Sequence, residues 1–220
     1  LQVALGGKLD ATEDLEAVVL HAQRCGYASI AVTGFSLGGN LTLKFLGEGS
    51  PAALGVCAGA VVSVPCDLRG AALRMAQPDC ALYLWRFLRS MLDRMDEKRR
   101  RFGASFPAVD RERIRDFHDF DDAFTAPLHG FADAEDYWKR CSSRRFLPGI
   151  GVPTLILNAA DDPFLSPGCY PRDAVLHNPK LVLEVPAHGG HVGFVSQGAF
   201  PGEYWSEWRL ATFLEAGVPA

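Results

Sequence analysis

Two hydrophobic periods alternate along this chain. In residues 11–24, ATEDLEAVVLHAQR, Leu15, Val18, Val19 and Ala22 fall on one face, which predicts a helix starting around Thr12 to Asp14. YASIAVTG follows as a short β-branched run and predicts a buried strand leading into a tight turn. NLTLKFLGEG returns to helical spacing and stops at Gly47 and Gly49. LGVCAGAVVSVP predicts a second buried strand, and VPTLILNAADDPF and KLVLEVPAHGGH a third and a fourth. The last two are apolar runs that end in polar residues, as in parallel strands whose C-terminal ends carry a site. YWSEWRLATFLEAG reads as an amphipathic closing helix. Strands alternating with helices predict an α/β fold with a mostly parallel sheet.

Residues 67–151, between the second and third strands, contain no strand pattern and read as helices. They divide the chain into a first part of the core, 1–66, a helical cap insertion, 67–151, and a second part of the core, 152–220. Within the insertion, LYLWRFLRSMLDRM puts Leu84, Phe87, Leu88, Met91, Leu92 and Met95 on one stripe. Such a stripe either packs into a core or overlies the mouth of a site. The run Lys98-Arg99-Arg100-Arg101 reads most simply as a solvated helix end, with contact to an anionic membrane surface as the second reading.

Composition narrows the partners. At 220 residues, 48% hydrophobic and 22% charged, the chain fits one globular domain with an insertion. A net charge of −4 and a pI near 5.9 give no footprint for nucleic acid. Six cysteines lie scattered without C-x-x-C pairs, and no signal peptide is visible. This pattern predicts reduced thiols in a cytoplasmic protein. No apolar run reaches the roughly 18 residues a membrane span needs.

The chemistry starts at VTGFSLGGN. Gly34-Phe35-Ser36-Leu37-Gly38 is G-x-S-x-G, a strand-to-helix turn that exposes a serine hydroxyl. Glycines on both sides are expected because the chain there approaches itself too closely for a Cβ. A nucleophilic serine needs a base and an acid to orient that base, and the loops after later strands supply both in order. Asp162 follows TLILNAAD, with Asp161 as the alternative acid. His191 follows LVLEVPAHGG, with His188 as the alternative base; the Gly-Gly before His191 frees its loop to bring the imidazole over the serine. Asp161 is expected to serve as a turn residue. The same side chains make a poor metal site, because no helix fixes the spacing of the histidines.

GFSLGGN, FDDAFTAPLHGFADAEDYW, VPTLILNAADDPF and GGHVGF together resemble the YheT-like branch of the α/β-hydrolases, AB-hydrolase family 4. The cap stretch 119–138 is what ties the resemblance to that branch. It implies an α/β-hydrolase fold and a serine hydrolase of carboxylic esters, with short- to medium-chain acyl esters or acylglycerols as substrates and no cofactor. Some relatives act on acylglycerols or phospholipids, and some transfer acyl groups to alcohols. Carried onto this chain, the family triad falls on Ser36, Asp162 and His191. The N–H of Leu37 is an expected oxyanion donor, and Phe35, Phe87 and Met91 are expected to face the substrate. Family members also have upstream strands and a His-Gly loop with a second oxyanion donor. Leu5-Gly6-Gly7 does not fit that loop, so the chain, which begins at Leu1, reads as the later two-thirds of such a domain with its N-terminal strands missing. The rival readings are an alcohol acyltransferase with the same triad and a non-catalytic binding protein on the same fold.

Overall fold

The computed structural model describes residues 12–49, 51–103, 106–107, 110–195 and 204–217. The Leu5–Gly7 segment lies outside them. Four strands, β1 (Ile30–Phe35), β2 (Val56–Val62), β3 (Thr154–Leu157) and β4 (Leu181–Glu184), form a parallel sheet in the order β1-β2-β3-β4. One row of the register runs Val32, Gly59, Thr154, Leu181 across all four. Each strand falls where the apolar runs place it.

The period of two sorts the sheet's side chains between its faces. Val61 and Ile156 point into one apolar cluster with Leu43 and Leu46 of α2 (Leu37–Glu48) and Val19 of α1 (Thr12–Arg24). Ala60, Val62, Leu155 and Leu157 point the other way, against Leu210 of α9 (Trp205–Gly217), with Trp205, Phe213 and Leu214 beside it. The sheet is therefore covered on both faces along β2 and β3, which accounts for their nearly continuous apolar sequences. β1 differs from the fully buried strand expected of it. It buries Val32 and Gly34 but exposes Ala31, Thr33 and Phe35. α9 lies over β2 and β3.

The connection from β2 to β3 holds no strand among the described residues. It comprises α3 (Leu68–Met75), α4 (Ala81–Phe102), α5 (Phe117–Phe120), a π-helical turn (Asp121–Thr125), α6 (Ala126–His129) and α7 (Ala134–Cys141), with short 3₁₀ turns between. Aspartates cap three of its helices. Asp67, Asp116 and Asp133 accept hydrogen bonds from the N–H groups of Gly70, Asp119 and Asp136. The α4 stripe packs inward through Leu88 and Leu92, against Phe106, Ile114, Phe120 and Phe124. A second cluster joins Leu68 of α3 to Tyr137 and Trp138 of α7. Asn40 of α2 ties this insertion to the sheet layer, donating to the carbonyl of Cys141 (2.8 Å) and accepting from the N–H of Ser143 (2.8 Å). After β3, α8 (Arg172–His177) leads into β4.

Candidate active site

The sheet aims three loops at one point. β1 ends in a turn that holds Ser36 at φ 51° and ψ −124°, a left-handed conformation that costs a non-glycine residue on the order of 1–3 kcal/mol. Two backbone bonds hold it there: its N–H donates to the carbonyl of Val62 (2.8 Å), and its carbonyl accepts from the N–H of Asn40 (3.1 Å). The close approach at this turn is one-sided. A Cβ on Gly34 would lie 2.5 Å from the carbonyl oxygen of Gly38 and from Thr42 Oγ1. A Cβ on Gly38 would meet open space, so the expectation of steric need on both sides is corrected to Gly34 alone.

Beyond β3, Asn158 fixes the path of the next loop. Fully buried, it accepts from the Val64 N–H (2.8 Å) and donates to the carbonyls of Val64 and Cys169. Asp162 follows, its side chain fully buried. One carboxylate oxygen accepts from the Phe164 N–H (2.9 Å) and the other lies 2.8 Å from His191 Nδ1. His191 Nε2 is in turn 3.0 Å from Ser36 Oγ. A carboxylate at Nδ1 favours the tautomer protonated there, which leaves Nε2 to accept the serine hydroxyl.

The alternative acid and base sit outside this line and brace it. Asp161 accepts from the Gly190 N–H (2.8 Å), which holds its carboxyl below the usual range, and its other oxygen lies 3.3 Å from the exposed His188. Val192 N–H donates to Ser63 Oγ (3.2 Å) from beyond the base. Of the two glycines ahead of His191, Gly189 makes room for the Phe194 ring, which would stand 2.6 Å from a Cβ there, and Gly190 takes a φ of 55° in open space. Phe164 lies against the imidazole with ring centroids 4.6 Å apart and also contacts Phe87 at 6.0 Å.

A cavity of about 250 Å³ opens at Ser36 and His191, walled by α3, α4, α7 and the acid loop. Phe87, Met91 and Leu37 line it; Phe35, exposed on β1, is not among its lining residues. The α4 stripe thus divides, with Leu88 and Leu92 in the insertion's core and Phe87 and Met91 on the cavity wall. Asp121 of the π-helical turn also lines the cavity. Asp121, Phe164, Ser63 and Asn158 were not marked by the sequence pattern. For Phe164 the only available signal was its place two residues after the acid. Among the described residues no group of three or more His, Cys, Asp and Glu side chains converges as a metal site would, and no helix is long and apolar enough to cross a membrane.

The sequence is similar to that of YheT of Escherichia coli, provisionally named an esterase, with 35% identity over 217 residues, 93% of this chain and 62% of YheT. It is 33% identical to mouse (Mus musculus) phospholipase ABHD3, covering 86% of this chain and 46% of that protein. With the monoacylglycerol lipase of Saccharomyces cerevisiae the identity is also 33%, over 92% and 52%. The chain spans between 46% and 62% of the length of these relatives. No family model matches it. Among solved structures it resembles an esterase of Pyrococcus furiosus (TM-score 0.54, 18% identity, 96% of this chain and 63% of that one). It also resembles a membrane phospholipase A described as a bacterial virulence factor (TM-score 0.54, 17% identity, 98% and 66%). At such identities the fold is what is shared.

Proposed function

This chain is an α/β-hydrolase that resembles the YheT-like branch, and on that footing we propose that it hydrolyses carboxylic esters through an acyl-enzyme on Ser36. The observation that carries this reading is the unbroken line from Ser36 Oγ to His191 Nε2 (3.0 Å) and from His191 Nδ1 to Asp162 (2.8 Å) beside a largely apolar cavity. His191 takes the hydroxyl proton as Oγ attacks the ester carbonyl. The buried Asp162 carboxylate stabilises the imidazolium that forms. His191 then returns the proton to the departing alcohol, and water enters by the same route to release the acid.

Leu37 opens α2, so its N–H is one of the first-turn donors that a helix leaves unpaired. It is the donor we assign to the developing oxyanion. One such donor is worth roughly 10²–10³ in rate. Phe87 and Met91 are the cavity residues we assign to the substrate's apolar part. Relatives named as lipases and phospholipases support an ester or lipid substrate.

The test is Ser36→Ala in the full-length enzyme, assayed on p-nitrophenyl esters of increasing acyl length. Hydrolysis should fall by several orders of magnitude, and labelling by a fluorophosphonate should disappear with it. A variant that keeps a tenth of the wild-type rate would overturn the assignment of the nucleophile.

A further inference from the structure

The cavity next to Ser36 is chemically uneven. Phe87, Phe117, Tyr137, Trp138 and Phe164 line it, Asp121 is the one carboxylate, and no described Lys or Arg is among the lining residues. Asp121 is 9% exposed. Its two oxygens accept one hydrogen bond each, from Thr125 Oγ1 (2.6 Å) and Trp138 Nε1 (2.8 Å). A carboxylate has about four acceptor sites, so both oxygens keep capacity. Neither of those two donors carries charge. Burial pushes the Asp121 carboxyl up to about 6, and the neighbouring Asp122 pushes the same way. At neutral pH the group is therefore mostly ionised and poorly solvated, and none of the described residues lining the cavity is a Lys or Arg.

We propose that this cavity binds a quaternary ammonium group on the alcohol moiety of the ester, with aromatic rings around the cation and Asp121 as its counter-charge. The ligand class follows from what the walls can and cannot satisfy. Aromatic faces attract cations, and by about 2 kcal/mol or more when water is excluded. A primary ammonium would bring three N–H donors to a wall that is mostly rings and would bury some of them unpaired. A quaternary ammonium has no donors to satisfy. A glycerol hydroxyl would use one acceptor of Asp121 and leave the charge unmatched.

The proposal rests on ester hydrolysis at Ser36, and its test separates the two. The full-length enzyme is assayed on a choline ester and on the 3,3-dimethylbutyl ester of the same acid, in which carbon replaces the charged nitrogen. The cationic ester should show a kcat/KM about tenfold or more above its neutral isostere, and Asp121→Asn should bring that ratio close to one. A wild-type ratio near one, with the neutral ester turned over, overturns the cation site and leaves ester hydrolysis standing. Tetramethylammonium titrated calorimetrically into the wild-type protein, against sodium at equal ionic strength, decides the question without turnover. Saturable binding supports the site, and heats equal to those of sodium overturn it even if neither ester is cleaved or the variant fails to fold.

Discussion

At the scale of single residues, Asp161 and Asp162 are adjacent in sequence and do different work. Asp162 is buried beneath His191 Nδ1, whereas Asp161 ties down the Gly190 N–H at the surface. Asp162→Asn should lower kcat by about 10⁴, because an amide there favours the wrong imidazole tautomer. Asp161→Asn should cost far less, since a side-chain carbonyl can still accept from Gly190. Steady-state kinetics on both folded variants checks the ranking, and the reverse order would move the acid. The two glycines of the serine turn divide in the same manner. Gly34→Ala forces a Cβ into the Gly38 carbonyl and should abolish activity or folding, while Gly38→Ala has room and should leave a folded protein. Thermal melts of the two variants read this difference.

At the scale of elements, the α4 stripe both packs into the insertion and lines the cavity, a division set by helical geometry. Leu88 and Leu92 pack inside the insertion, and each change to Ala should lower stability by about 2–5 kcal/mol. Phe87 and Met91, one residue earlier in each turn, line the cavity beside the triad. Phe87→Ala with Met91→Ala should therefore shift substrate preference, read across esters that differ in acid and in alcohol, with a smaller loss of melting temperature. An unchanged preference with a strongly lowered melting temperature would make them core residues like their neighbours. The π-helical turn that presents Asp121 belongs to the same scale, since such turns widen a helix and often lie at functional sites.

For the whole molecule, the buried carboxyl of Asp121 links folding to pH. Burial raises it to about 6, more than the bonds from Thr125 and Trp138 lower it; Asp122, His118 and Tyr137 are the other titratable groups facing it. A carboxyl whose folded value lies above its unfolded one stabilises the fold below the unfolded value, and that contribution is lost as pH rises through about 6. Relative to Asp121→Asn, wild type should lose roughly 2 kcal/mol of stability between about pH 4 and pH 7. Urea unfolding of both proteins at the two pH values measures it, and a constant difference would refute it. None of this was legible in the sequence, because an aspartate in FDDAF looks like an ordinary acid at a helix start until α7 closes over it. Asn40 and Asn158 escaped notice for the same reason: their partners lie about a hundred residues away or are backbone groups. The strands and the line of Ser36, Asp162 and His191 were legible, because a serine turn, an acid and a base each follow an apolar run that reads as a strand whatever surrounds it.

The insertion enters after β2 and leaves before β3, so on the proposed function most of the wall around the substrate would come from a different stretch of chain than the groups that perform the chemistry. Ser36 and His191 come from loops of the sheet, whereas Phe87, Met91, Phe117 and Asp121 come from the cap. Selection can therefore reshape substrate range by exchanging or drifting the 67–151 stretch while the reaction itself is inherited intact. Descendants of such a fold would be expected to diversify in what they cleave long before they change how they cleave it.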